Sequence, residues 1–280
     1  MKDSGGDQAR ATCLGEADRK NYESEINLAR RQALLRCAVA PSEPQPMVWN
    51  LFDWGPSARV LDLGCGNGWW AKLASDRTPD GVVIGLDLSA GMLDALALTA
   101  PAVPGVRADG QQVPFASGSF DVVLAMWCPY HMPDKPAVLG EMRGVLRDGG
   151  LVIACTNEAL GSAFVDQLMA NAVDSVRTIG DRGAPWMEPI DFTLENGAAV
   201  LARYFADVRR SVNTTPYEVH DAQVLHDYAL SLEDPVRGWT GIDEPDFARV
   251  VEHVDAQLAD ALASGPIKFV RRVAFFTARK

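Results

Sequence analysis

The sequence predicts an α/β fold, a doubly wound parallel sheet that carries helical additions. Three observations lead there. Between Ala58 and Asn157, short apolar runs alternate with helical stretches, the pattern of right-handed βαβ crossovers. Asp62, Gly64, Gly66 and Gly68 spell D-x-G-x-G-x-G at the first strand-to-helix turn. After Asn157 the alternation stops until the region of Tyr204.

The elements follow in order. Residues 1 to 15 are polar and glycine-containing and read as disordered. From Glu16 to Ala38 the composition is helical, with Tyr22, Ile26, Ala29 and Ala33 sharing one face and Leu34 and Cys37 close by. "PSEPQP" interrupts, and "MVWNLFDW" resumes the i, i+4 pattern through Met47/Leu51 and Val48/Phe52. "ARVLDLG" is a buried strand by length and flanks. A helix from Trp69 to about Asp76 follows, then the strand "GVVIGLDLS", with Ser89 capping the helix "AGMLDALAL". "GVRADG", "FDVVLAMW" and "GLVIACTN" are three more strands, with the helix "PAVLGEMRGVL" before the last. Beyond them come the helix "LGSAFVDQLMANAVDSV", a sixth strand at "YFADVRRSV", helices over about 221–232 and 246–262, and the closing strand "IKFVRRVAFFTA".

Composition narrows the function classes. An apolar fraction of 48% over 280 residues builds a sizeable core. The net charge of −11, with 37 acidic against 26 basic residues, argues against nucleic acid. The N-terminus lacks an apolar signal-peptide core and no apolar run is long enough to span a bilayer, so neither export nor a membrane is expected. Five scattered cysteines without a C-x-x-C pair read as reduced thiols of a cytoplasmic protein. His220 and His226 fall on different sides of a helix, so no metal is expected.

The glycine loop sits where α/β sheets bind ligands, beyond the carboxyl ends of the strands. The dinucleotide fingerprint G-x-G-x-x-G fails, because counting from Gly64 the position that needs a small residue holds Trp69. The phosphate loop G-x-x-x-x-G-K-[ST] is absent too. Asp87 ends the second strand, where a carboxylate can accept bonds from both ribose hydroxyls. Asp109 ends the third and can accept from an exocyclic amine such as that of adenine. A nucleoside without phosphates, plus a polar group near the loop, describes S-adenosylmethionine.

"VLDLGCGNG", "VVIGLDLSAGML", "ADGQQVPFASGSFDVVLA" and "MRGVLRDGGLVIA" stand in the order and spacing of a known family. In these pieces, which cover about residues 58 to 157, the chain resembles the class I S-adenosylmethionine-dependent methyltransferases. It is most similar to the small-molecule group around the ubiquinone and menaquinone C-methyltransferases. The resemblance implies a Rossmann-like seven-stranded sheet with its last strand antiparallel, and S-adenosylmethionine as cofactor. It carries Gly64, Gly66 and Gly68 to the methionine part, with Asp62 and Cys65 beside them. Asp87 goes to the ribose, and Asp109, Gly110 and Gln111 to the adenine. Leu88 and Met92 would pack on the ring, with Met126 and Tyr22 completing the cofactor set. The chain reads as one domain: a helical lid over 1–55, a cofactor core over 56–157, helical caps over 158–200 and 215–265, and a final strand over 266–280.

Methyl transfer is an in-line displacement from a sulfonium, so placing the nucleophile on the C–S axis in a dry pocket supplies much of the catalysis. A base matters where the acceptor must lose a proton. "MWCPYHMPD" lies at the mouth of the site by strand order. His131 there is either a general base or a helix-entry histidine bonded to a carbonyl. Tyr130 is a pocket wall or a base, and Tyr22 is a further candidate. Methyltransferases of planar amines often carry [DN]-P-P-[YFW] after the fourth strand; here Trp127-Cys128-Pro129-Tyr130 stands instead, which argues against that chemistry. Trp49 and Trp54 in the lid, Trp127 and Trp186 are core or cage; with His131, Trp127 and Trp186 form the expected acceptor set.

The sequence therefore reads as a methyltransferase acting at C or N of a small, aromatic, indole- or alkaloid-like metabolite, as a monomer or homodimer. Quinone-ring C-methylation is the alternative within the class, and a non-catalytic S-adenosylmethionine sensor the alternative outside it.

Overall fold

In the computed structural model, residues 20–39, 54–159, 163–187 and 189–280 are described. The expected disorder of residues 1 to 15, the "MVWNLFD" stretch and Trp49 lie outside them. The strands are β1 (Arg59–Leu63), β2 (Val82–Asp87), β3 (Gly105–Arg107), β4 (Phe120–Met126), β5 (Leu146–Asn157), β6 (Ala206–Val219) and β7 (Ile267–Arg279). They form one sheet in the order β3-β2-β1-β4-β5-β7-β6. β1 pairs in parallel with β2 and β4, β2 with β3, and β4 with β5, while β7 runs antiparallel to β5. The seven-stranded, doubly wound fold is thus present, last strand included.

The helices are α1 (Ile26–Ala33), α2 (Trp69–Arg77), α3 (Ala90–Thr99), α4 (Lys135–Val145), α5 (Ala163–Val176), α6 (Gly197–Leu201), α7 (Ala222–Leu230), α8 (Glu233–Thr240) and α9 (Glu244–Ala263). Short polar side chains start several of them. Ser89 Oγ accepts from Met92 N (3.2 Å), Asp134 Oδ1 from Ala137 N (2.9 Å) and Asp243 Oδ1 from Asp246 N (2.8 Å), each satisfying an amide that the first turn leaves open.

By contact the chain divides into two compact units. The sheet unit comprises Glu43–Ala159, Ile190–Asn213 and Arg272–Lys280; the helical unit comprises Met1–Ser42, Leu160–Pro189 and Thr214–Arg271. In the sheet unit the strands bury both faces, so their side chains divide with period two. Leu61, Leu63, Val123, Ala125, Val152 and Ala154 enter one cluster, with Val138, Leu139 and Met142 of α4. Val60, Val122, Leu124, Met126, Ile153 and Cys155 enter the other, with Trp70, Ala71 and Ala74 of α2. The helical unit packs Leu34, Met169, Val173, Leu225, Val250 and Val254. In it Phe269 stacks between Phe164 (5.6 Å) and Tyr217 (5.4 Å).

The helical stretch expected from Glu16 to Ala38 is broken by a turn and bend over residues 22–25, so Tyr22 lies outside α1; on the helix, Ile26 is 58% exposed and Ala29 is exposed too. Arg31 and Leu34, three residues apart on one face, fasten the segment instead. The Arg31 guanidinium donates to Ser231 Oγ (3.1 Å), Ser231 O (2.6 Å) and Tyr22 Oη (2.5 Å), while Leu34 is buried. Helix α8 is unforeseen because "EDPVRGWT" holds a proline. Pro235 falls in the helix's first turn, where its missing N–H costs nothing.

Candidate active site

The chain leaves β1 at Leu63 and turns through three left-handed glycines, Gly64 (φ +66°), Gly66 (φ +53°) and Gly68 (φ +82°), a region L side chains rarely enter. The loop rides on the end of β2: Leu86 O accepts from Gly64 N (2.8 Å) and Cys65 N (3.0 Å). Gly68 O then accepts from Lys72 N (2.9 Å) to open α2. A Cβ on Gly64 would stand 2.5 Å from Cys128 Cβ, and one on Gly68 2.4 Å from Leu96 Cδ1 and 3.0 Å from its Cα. Protein packing therefore demands two of the glycines, in addition to any ligand.

Three carboxylates stand at three strand ends in three environments. Asp62, in β1, is 1% exposed and neither of its oxygens completes a hydrogen bond. Burial first, and then the Asp87 charge, push its carboxyl up to about 7, against a weak opposing pull from the Ala71 N–H. Asp87 accepts from Gly66 N (2.9 Å) through Oδ2 and from Ser89 N (2.9 Å) through Oδ1. Its burial raises the carboxyl, and the Ser89, Gly66 and Leu88 amides and the His131 charge oppose that rise. Asp109 Oδ1 accepts from Gln111 N (2.8 Å) and Gln111 Nε2 (3.2 Å). Gln111 Oε1 in turn accepts from Asp134 N (2.8 Å). The thiols of Cys65 and Cys128 are raised by burial and by Asp62 and Asp87, so both stay protonated.

After β4 the chain turns sharply. Trp127 is left-handed (φ +54°), and Cys128 Sγ donates to Leu63 O (2.9 Å) at the root of the glycine loop. A single 3-10 turn, Pro129–His131, follows, closed by His131 N to Cys128 O (3.0 Å). The rings of Tyr130 and His131 lie 4.4 Å apart.

The sheet unit thus brings together Asp62, the glycine loop, Asp87, Asp109, Tyr130 and His131. Met92 and Met126 are buried, Leu88 is exposed just past the end of β2, and Gly110 packs where a Cβ would stand 2.6 Å from Met132 Cε. Trp127 is held by protein: its Nε1 donates to Asn157 Oδ1 (3.1 Å) and its ring packs on Trp70 (6.1 Å) and Phe275 (6.3 Å). Tyr22 and Trp186 belong to the helical unit. Tyr22 Oη accepts from Arg31, and Trp186 is buried there with Nε1 donating to Asp166 Oδ1 (2.8 Å). Sequence reasoning missed Asn157, whose only signal is an asparagine ending a buried strand. Among the described residues no cluster of histidine, cysteine and carboxylate could hold a metal, and no helix is long and apolar enough to cross a membrane. His226 instead faces Asp255 (2.7 Å) and His220 faces Glu218 (3.2 Å).

Residues 60–150 match a family described as a methyltransferase domain. The chain is 29% identical to the nocamycin O-methyltransferase of Saccharothrix syringae over 248 residues, 82% of this chain and 88% of that one. Residues 60–150 thus form a class I S-adenosylmethionine-dependent methyltransferase domain. The demethylmenaquinone methyltransferase of Lactococcus lactis is 36% identical over 100 residues, but this chain spans only 40% of its length. The YcgJ protein of Bacillus subtilis shares the fold, with a TM-score of 0.55 at 18% identity over 84% of this chain and 97% of that one.

S-adenosylmethionine is the cofactor of this methyltransferase, and the residues fit it. Asp62 is a buried carboxylate without partners, the arrangement that a cationic ligand stabilises most. Asp87 and Asp109 keep acceptor capacity, since a carboxylate offers about four lone-pair sites.

Proposed function

We propose that this methyltransferase acts on a small aromatic acceptor, indole- or alkaloid-like, at carbon or nitrogen, with His131 as general base. The observation that carries the reading is the Pro129–His131 turn, which follows β4 directly and is seated by Cys128 Sγ donating to Leu63 O (2.9 Å) at the root of the glycine loop. A base placed there stands at the same strand ends as the carboxylates.

Bound S-adenosylmethionine supplies an electrophilic methyl group on a sulfonium. In our reading Asp62, Gly64, Cys65, Gly66 and Gly68 receive its methionine part and Asp87 accepts from the ribose hydroxyls. Asp109, Gly110 and Gln111 receive the adenine, with Leu88, Met92 and Met126 as its apolar surround. His131 takes the proton from an acceptor N–H, and Tyr130 walls the pocket. The engagement of the Tyr22 hydroxyl with Arg31 favours His131 over Tyr22 as the base. Residues 1–55 act as a lid that excludes water during transfer.

Oxygen methylation is the second reading, because the nocamycin O-methyltransferase is similar along 88% of its length, and a histidine base serves a hydroxyl equally well. Quinone-ring methylation draws on similarity that spans 40–50% of the length of demethylmenaquinone methyltransferases. Incubation with methyl-labelled cofactor and a panel of indoles, phenols and quinols identifies the acceptor. On that acceptor, His131→Ala should lower kcat about 10²- to 10⁴-fold with little change in cofactor affinity. A loss below about fivefold would assign catalysis to positioning alone.

A further inference from the structure

We infer that Trp127, fastened by Asn157, is a positioning residue that fixes the Pro129–His131 turn against the glycine loop. The inference deepens the reading of His131 as the group facing the acceptor, and in that respect rests on it. It begins from backbone strain. Among the described residues only Trp127 and Asp207 combine a side chain with positive φ. Aspartate tolerates the left-handed region, but a bulky aromatic residue does not, and such outliers persist only where their surroundings over-determine them.

The surroundings here are specific. The main chain of Trp127 donates from its N–H to Cys155 O (3.0 Å), and its indole donates from Nε1 to Asn157 Oδ1 (3.1 Å). Both partners lie on β5, two residues apart, so backbone and side chain are tied to the end of one strand. Trp70 and Phe275 flank the ring. An extended residue at this position would carry the chain onward along β4, away from the loop. The left-handed one folds it back at once, so that Cys128 seats against Gly64 and donates to Leu63 O (2.9 Å). The turn bearing Tyr130 and His131 is thus pinned at its entry by Trp127 and at its base by Cys128. Relaxing Trp127 would release the entry while leaving Asp62, the glycines and Asp87 in place.

The test reads the turn itself and needs no acceptor. Hydrogen exchange by mass spectrometry is followed on the full chain for wild type, Trp127→Phe, Trp127→Gly and Asn157→Ala. Trp127→Phe keeps much of the ring packing and removes the indole N–H, Trp127→Gly accepts the left-handed backbone without fastening it, and Asn157→Ala removes only the acceptor. All three should exchange about tenfold or more faster over residues 128–132, with β1, β2 and β4 as protected as in wild type and cofactor affinity within about threefold. Wild-type protection of residues 128–132 in Asn157→Ala and Trp127→Phe would overturn the inference, as would full protection in Trp127→Gly. Should the Trp127 variants lose global structure, Asn157→Ala decides alone. If His131→Ala leaves turnover intact while these variants loosen the turn, the base assignment fails and the anchor stands.

Discussion

Asp62→Asn separates the stability of the fold from its affinity for cofactor. In the free protein Asp62 is 1% exposed, lacks hydrogen-bond partners for either oxygen and lies within reach of the Asp87 charge. Its carboxyl rises from 3.8 to about 7, about 4 kcal/mol at 1.36 kcal/mol per pH unit. The sign follows from proton counting. Between about pH 4 and 7 the folded state keeps a proton that the unfolded chain has released, so stability falls as pH rises through that window and levels off above it. The neutral amide removes this slope. It leaves its own polar atoms short of partners, so the net gain at pH 8 should be about 1–3 kcal/mol, and near zero at pH 4. Urea unfolding of wild type and variant without cofactor, at pH 4 and pH 8, reads the difference directly. Asp87 rises in the same direction; its own burial is common to both proteins and cancels, while its repulsion of Asp62 is lost in the variant and is part of the gain at pH 8. With cofactor the order reverses: a cation beside an ionised Asp62 favours wild type, and binding near pH 6.5 should release a proton, visible as a dependence of the calorimetric heat on buffer. Equal stability of the two proteins at pH 8, together with equal cofactor affinity, would refute the argument.

Gly64→Ala should lose about 2–5 kcal/mol in urea unfolding, from the left-handed backbone and from the 2.5 Å approach to Cys128 Cβ. Gly149→Ala, with φ +73° and open space around it, carries only the backbone cost of about 1–2 kcal/mol; similar losses at both sites would dismiss the contact. Deleting residues 1–25 spares Arg31 and Leu34, which anchor α1 in the helical unit. Turnover should then fall at least tenfold with cofactor affinity kept, and full turnover in the truncated chain would end the lid proposal.

The part of the fold legible in the sequence is the part whose residues answer to local constraints. β1, β2, β4 and β5 are largely buried on both faces, so they show as short apolar runs, β1 closed by Gly64 and β2 by Asp87. Ser89 announces α3 because a cap bond spans three residues. How α1 is fastened was not legible, since its Arg31 bonds Ser231, two hundred residues away in the chain. Helix α8 was hidden by Pro235, which reads as a breaker until its place in the first turn is known. The turn at Trp127 was hidden for the opposite reason: tryptophan carries no preference for the left-handed region, and Cys155, Asn157, Trp70 and Phe275 impose it from outside.

The three aspartates at the strand ends show what the sequence alone could not divide. Residue type and position place Asp62, Asp87 and Asp109 on one side of one sheet, and by that criterion they are equivalent. Their environments are not. The Asp109 carboxylate is satisfied by Gln111 and that of Asp87 by two main-chain amides, so a ligand bonding there adds to groups already stabilised, and its gain is the modest net value of an added hydrogen bond, about 0.5–1.5 kcal/mol. Asp62 has no such support, and a cation that ionises it removes a penalty the free protein carries. On the proposed assignment, affinity for the charged end of the cofactor should therefore concentrate at Asp62, and Asp87 and Asp109 should discriminate among nucleosides. A neutral cofactor analogue without the sulfonium charge should accordingly lose more affinity in wild type than in Asp62→Asn.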